Sequence, residues 1–318
     1  MNCQIERKNP GNSTVYCPRP GCQIESGSPA SRQLALKNGF YYRSSDRKRI
    51  RRYRCGSCKR SFSRATGDPH FGQRKRQVNE MVMQLLTSHV SMRRTAKLLG
   101  IHRSTVAVKK VFLAIQSIPE QRMMLEDYVR KNGKFTKLQF DDLETIEHTK
   151  CKPVAVPLIV DAKTRLILGI GACSMPAKGL LAEFSRRKYG PRPCHRKKTW
   201  NALFLEVAPF IAPNAQFKSD SHPFYPELLK QVFPDARHDQ VISRKGRSGG
   251  QGELKKGYFD TIFSLNHTCA MLRANICRLI RKTWCTSKRI DRLLAHLQLY
   301  IVSHNREILR NLAAAQAV

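Results

Sequence analysis

Four cysteines in two short pairs, Cys17/Cys22 and Cys55/Cys58, constrain the N-terminal part of this chain more than any other feature. Each knuckle can offer two thiolates to a single tetrahedral zinc ion, because closely spaced sulfurs on a tight turn reach the same metal while backbone N–H groups soften their charge. The residues between them are rich in Arg, Ser, Gly and Pro. Such a segment cannot bury enough apolar surface to fold unaided, so zinc is expected to hold residues 12–66 as a ribbon. Cys3 is surplus to this set. The seven cysteines outside the knuckles are scattered singly, which fits a reducing compartment better than a disulfide framework.

Charge sets the partner. Lys and Arg number 58 against 23 Asp and Glu, a formal net charge of +35 carried along nearly the whole length. An excess of this size favours a polyanion, and duplex DNA is the partner expected. The basic run 43–54 between the knuckles would present itself to phosphates. No stretch approaches the roughly 18 uninterrupted apolar residues of a membrane span, and the N-terminus has no apolar leader, so no membrane partner and a cytoplasmic, nucleoid-associated location are expected.

From about residue 77 to 116 the apolar spacing turns helical. Within it, Ser91-Met-Arg-Arg-Thr-Ala96 through Gly100-Ile101-His102-Arg103-Ser104-Thr105 to Lys110 has the plan of a helix-turn-helix inside a domain at 72–118. Ala96 is small where two helices cross and Gly100 supplies the turn. Ile101, Val106 and Val108 or Val111 are expected to pack onto Leu98 and Leu99. His102, Arg103, Ser104, Thr105, Lys109 and Lys110 would then face the major groove. A connector is expected from there to about residue 133.

Three strands are expected next, at 135–141, 154–161 and 165–172, the last two closing a hairpin over the polar turn at 161–164. Helices at 179–187 and 200–210 precede a buried strand at 215–220. Further helices are expected at 223–233, 261–283 and 288–315, separated by a basic glycine-rich loop at 244–250. The α/β part spans 134–310.

Acidic residues are scarce, so a carboxylate ending an apolar strand is informative. Asp141 and Asp142 end one such strand and Asp220 another. Burial there is costly unless a cation neutralises the charge, and two strand-end aspartates on adjacent strands can share Mg²⁺ or Mn²⁺ for in-line phosphoryl transfer. Neighbouring strand residues point opposite ways, so only one of Asp141 and Asp142 can face Asp220. Asp142, Glu144 and Asp161 also read as ordinary turn or cap residues.

In order, the knuckles, the helix-turn-helix, Phe140-Asp141, Ser219-Asp220-Ser-His-Pro-Phe-Tyr225 and the stretch from Leu272-Arg273 through Arg278 and Lys282 to Ser287-Lys288 resemble the insertion-sequence-one transposases and their larger relatives. The resemblance covers about residues 17–305. It implies a multidomain chain: a zinc ribbon, an all-α helix-turn-helix, and an α/β ribonuclease-H-like catalytic domain with C-terminal helices, binding element ends and target DNA as a homo-oligomer. It selects Asp141 over Asp142, pairs it with Asp220, and puts the third ligand, usually Glu, on Asn266, with Arg273 on phosphate. Asn can ligate Mg²⁺ through its amide oxygen but carries no charge and cannot act as a base. Glu253 and Asp260 stay open as third ligands, and a catalytically inactive or domesticated DNA-binding regulator is the competing reading.

Overall fold

The computed structural model describes residues 15, 17–19, 22, 35–44, 47–68, 70–241, 260–280 and 284–316. They fall into two compact units, Met1–Val78 and Asn79–Val318. Cys3, Glu253 and the 244–250 loop lie outside the described residues.

The first unit is a three-stranded antiparallel sheet in the order β1 (Leu36–Arg43), β2 (Lys48–Arg54), β3 (Ser61–Ser63). Among the described residues its buried apolar cluster is Cys17, Tyr53, Cys55 and Phe62, in keeping with the sparse apolar content. Tyr53 and Phe62 are direct cross-strand partners and stack at 5.8 Å. On β2, the guanidinium groups of Arg49 and Arg51 lie 4.1 and 4.0 Å from the Phe40 ring centre, so part of the basic run is oriented by cation–π contact.

The second unit opens with α1 (Asn79–Thr87), α2 (Met92–Leu98) and α3 (Arg103–Asn132). Ser91 caps α2 by accepting from the Arg94 N–H, and the His102 ring caps α3 by accepting from the Ser104 N–H. Between them Gly100 takes φ +59°, a conformation that costs glycine little. Ala96 and Val106 are buried as expected, but Leu98 and Val108 are 61% and 65% exposed and do not pack together. The expected connector is also absent: α3 runs on for 30 residues. Its buried stripe of Leu113, Ser117, Gln121 and Leu125 keeps helical spacing. Two of those positions are polar, which hid the stripe from a purely apolar reading. Gln121 is at home there because it donates to the Ile167 carbonyl at 2.8 Å and accepts from Asn305 at 3.0 Å.

The α/β part then follows as β4 (Phe135–Glu147), β5 (Thr149–Asp161), β6 (Ile167–Ile170), the two-residue β7 (Cys173–Ser174), α4 (Leu181–Tyr189), α5 (Arg196–Val207), β8 (Ile211–Asp220), α6 (Tyr225–Val232), β9 (Arg237–Val241), α7 (Phe263–Asn275) and α8 (Ile290–Gln316). The main path of the sheet is β6-β5-β4-β8-β9, with β7 pairing β5. β5 runs antiparallel to both neighbours, while β4, β8 and β9 are mutually parallel. β9 was not anticipated; its burial is only partial and its sequence, Arg-His-Asp-Gln-Val, carries no apolar run. The β5–β6 hairpin closes as expected, with Asp161 accepting from the Thr164 N–H and hydroxyl at 2.7 and 2.6 Å.

Two apolar layers cover the sheet. Phe140, Phe217, Trp200, Phe204 and Tyr225 build the layer under α5 and α6, and Leu143, Val156, Leu265, Leu272 and Leu297 build the one under α7 and α8. The helix expected over 261–283 stops at Asn275 because its last carbonyls have partners from afar: His89, in the α1–α2 turn, donates its N–H to the Asn275 carbonyl at 2.7 Å, and its ring bonds the Ala274 carbonyl at 2.6 Å. Among the described residues no helix is long and apolar enough to cross a membrane.

Candidate metal and nucleic-acid sites

All four knuckle sulfurs lie within 4.8 Å of one another, with Cys17 to Cys58 at 3.8 Å and Cys22 to Cys55 at 3.4 Å. Four bonds of about 2.3 Å to one tetrahedral zinc require sulfurs about 3.8 Å apart, so this donor set fits the ion. The wide first knuckle is no obstacle. Burial raises the Cys55 thiol, but the Cys58 N–H, the Cys22 thiol and the Ser57 N–H outweigh it and hold Cys55 down at about 6. Among the described residues this is the one group of three or more Cys, His, Asp or Glu side chains arranged for a metal.

The aspartate pair is positioned by strand register. β4 and β8 pair in parallel with Leu138 opposite Phe217 and Gln139 opposite Lys218. Two residues further on, the same register sets Asp141 beside Asp220; Asp220 ends β8, whereas Asp141 lies midway along β4, which runs past the expected strand end at 141 to Glu147 because β5 goes on pairing with it. Pleat alternation fixes the faces. Leu138, Phe140 and Phe217 enter the α5/α6 layer, so Gln139, Asp141 and Asp220 point to the α7 side. Gln139 marks that side directly: its side chain accepts from the Leu265 N–H at 2.9 Å and donates to the Thr261 carbonyl at 3.2 Å, seating the start of α7.

Asp141 accepts from the Tyr225 hydroxyl at 3.1 Å and from the Asp142 N–H at 2.6 Å. Burial, and then the negative charge of Asp220, nevertheless push its carboxyl up to about 7. Burial drives Tyr225 far above the ordinary phenol range, so it stays a neutral donor. Asp220 accepts from the His222 N–H at 3.1 Å. Two mutually repelling carboxylates, one of them short of donors, form a site that a divalent cation would complete.

Asp142 faces the opposite layer. Its carboxylate accepts from Arg196 Nε at 2.6 Å and from Trp200 Nε1 at 3.1 Å, and the Arg196 and Asp142 side chains are 8% and 4% exposed. Arg196 donates onward to His222 Nε2 at 2.9 Å. It is a buried ion pair bracing α5 and the loop after β8, and no sequence signal marks it because Arg196 sits 54 residues away, between the expected helices at 179–187 and 200–210. Glu144 is a surface residue paired with Lys178 at 2.8 Å.

On α7, Asn266 is exposed and donates its amide to Asp260 Oδ2 at 2.9 Å, so two of the candidate third ligands are bonded to each other. One turn further, Cys269 is an α7 side chain that feels Asp141: burial raises its thiol to about 12, Arg273 opposes this, and Asp141 adds to it. Asn266 and Arg273 thus flank a partly buried cysteine near Asp141 that nothing in the motif signalled.

At the start of α3, His102, Arg103 and Ser104 are exposed and Thr105 is half-buried. Lys109 and Lys110 are not on that surface, contrary to expectation. They are 3% and 1% exposed; Lys109 donates to Asn79 and Lys110 to the Arg292 carbonyl at 2.7 Å. Burial, then Arg278 and Arg292, lower the Lys110 amine to about 7. Cys277 and Cys285, expected to be solitary, have their sulfurs 3.4 Å apart.

No protein-family model matches the sequence, and no curated protein matches it. Among solved structures, the chain is similar to the catalytic domain of Mos1 mariner transposase, with 11% identity and a TM-score of 0.20 over 60% of this chain and 92% of that one.

Proposed function

We propose that this chain is a DNA transposase of the insertion-sequence-one-like kind, which binds duplex DNA at insertion-element ends and cuts and joins it by metal-dependent phosphoryl transfer. The observation that carries this reading is the β4–β8 register, which sets Asp141 and Asp220 side by side on one face of the sheet. The sheet order, with β5 antiparallel in an otherwise parallel path, supports a ribonuclease-H-like domain. The four-cysteine cluster supports a zinc ribbon, and the net charge of +35 supports a DNA partner.

In this reading Asp141 and Asp220 hold Mg²⁺ or Mn²⁺, Asn266 adds an amide oxygen after leaving Asp260, and Arg273 meets a phosphate. Tyr225 fixes the Asp141 carboxyl through its hydroxyl, and the Arg196–Asp142 pair keeps α5 and the His222 loop in place behind it. A bound divalent ion supplies Lewis-acid stabilisation of the charge that develops on phosphoryl oxygens. His102, Arg103, Ser104 and Thr105 face the DNA, and a homo-oligomer brings two ends together.

The test is strand transfer by the purified chain on duplexes taken from the DNA flanking its gene. Asp141→Ala and Asp220→Ala should each abolish joined products while leaving end binding intact; full activity in either variant refutes the assignment. The neutral Asn266, tied to Asp260, favours a second reading, a DNA-binding regulator without chemistry. Mg²⁺-dependent cleavage by the wild-type chain would eliminate it.

A further inference from the structure

The proposed chemistry leaves one motif unused, the stretch around Arg278. Arg278, with residues from Trp284 to Arg292, forms one wall of a cleft of about 620 Å³ whose other wall is the start of α2 and α3. Seven basic side chains line this cleft and no carboxylate does, and the remaining lining is mostly apolar. Asp291, close by, is engaged by Arg289 at 2.8 Å and by Arg292 at 3.6 Å.

Arg278 is the telling residue. It is 93% buried, since only 7% of it is exposed, and its Nε has no hydrogen-bond partner among the described residues. Lys110 and Arg292 stand near enough for their charges to act on one another. A buried guanidinium among other cations is costly unless an anion completes the group. At the mouth stands Trp284, fully exposed, an uncommon place for a large ring with nothing to cover it.

We propose that this cleft binds one nucleotide unit of a DNA strand, with its phosphate on Arg278, Lys110 and Arg292 and its base, splayed from the strand, against Trp284. Stacking on an exposed aromatic ring beside a basic track is how single strands are held without sequence readout. Arg103, at the start of α3, lines the same cleft, so a strand followed by that helix passes the opening. This last point rests on the DNA-binding reading above; the cleft's charge and the Arg278 Nε that has no hydrogen-bond partner among the described residues do not.

The test uses the full zinc-loaded chain and a fluorescein-labelled short oligothymidylate, read by anisotropy, with thymidine monophosphate and inorganic phosphate as competitors. Trp284→Ala, at a fully exposed position, and Arg278→Met should each weaken oligonucleotide binding by about tenfold. Ligand-free Arg278→Met should melt no lower than the wild type, because it removes an uncompensated buried charge. A merely structural Arg278 would instead lower the melting temperature and leave binding unchanged, which overturns the proposal. Unchanged binding by Trp284→Ala also overturns it. Thymidine monophosphate competing as well as the oligonucleotide would make the cleft a free-nucleotide site, and phosphate doing so a simple anion site; either result refutes the strand assignment. If Asp141→Ala and Asp220→Ala keep strand transfer while Trp284→Ala loses binding, the proposed function fails and the cleft stands. If metal-dependent joining holds and binding ignores Trp284, the cleft fails alone.

Discussion

Replacing Asp141 with Asn isolates the electrostatic tension of the aspartate pair. In the folded chain burial and Asp220 hold the Asp141 carboxyl at about 7, against an ordinary value of 3.8. A carboxyl raised on folding contributes stability that is fully present below the unfolded value and is lost as pH climbs through the folded one. For the metal-free chain the loss therefore accumulates between about pH 4 and pH 7 and then levels off. Each unit of displacement is worth about 1.4 kcal/mol, so between pH 5 and pH 8 the wild type should lose about 3 kcal/mol at most that Asp141→Asn keeps. In a unit of this size that corresponds to a melting-temperature difference widening by about 5 to 10 °C. The assay is thermal melting by near-ultraviolet circular dichroism, dominated by buried Trp200, for both chains across that range. Any constant cost of disturbing the Tyr225 hydrogen bond cancels in the pH-dependent part. Added Mg²⁺ should stabilise the wild type at pH 8 and not the variant. A difference that stays flat with pH, or equal stabilisation of both chains by Mg²⁺, would refute the reasoning.

Three further outcomes follow from the same geometry. Removing metal from the proposed zinc site with a chelator, or Cys55→Ser, should unfold the first unit, whose buried apolar cluster among the described residues includes two of the four cysteines; protection of that segment from protease after metal removal would contradict this. Arg196→Met should cost about 3 to 5 kcal/mol by stranding buried Asp142, and Arg196→Met with Asp142→Leu should recover most of it in chemical denaturation. Arg103→Ala should reduce the log–log salt slope of duplex binding by about one, whereas Lys109→Met, altering a 3%-exposed side chain, should leave that slope unchanged.

Local chemistry was legible in the sequence where one segment decides the outcome. The paired cysteines, the Ser91 and Gly100 punctuation, the 161–164 hairpin and the apolar runs leading up to Asp141 and Asp220 each carry their signal within a few residues, although β4 continues beyond Asp141 to Glu147. What escaped is set by partners distant in sequence. Lys109 and Lys110 read as surface cations, but Asn79 and the Arg292 carbonyl take them inside. α7 ends at Asn275 because His89 takes its final carbonyls. The Arg196–Asp142 pair and the Cys277–Cys285 approach arise from packing that no short window contains. The apolar pattern stops near residue 116 although α3 continues to Asn132, because the polar Ser117 and Gln121 occupy its buried stripe.

The proposed chemistry depends most on a divalent ion seated between Asp141 and Asp220. Crystals of the chain soaked in Mn²⁺ and measured at the manganese absorption edge should show anomalous density touching the carboxylates of both Asp141 and Asp220, lost in Asp220→Asn. Density elsewhere, or none at these carboxylates in well-ordered crystals with the soak at saturating concentration, would contradict it.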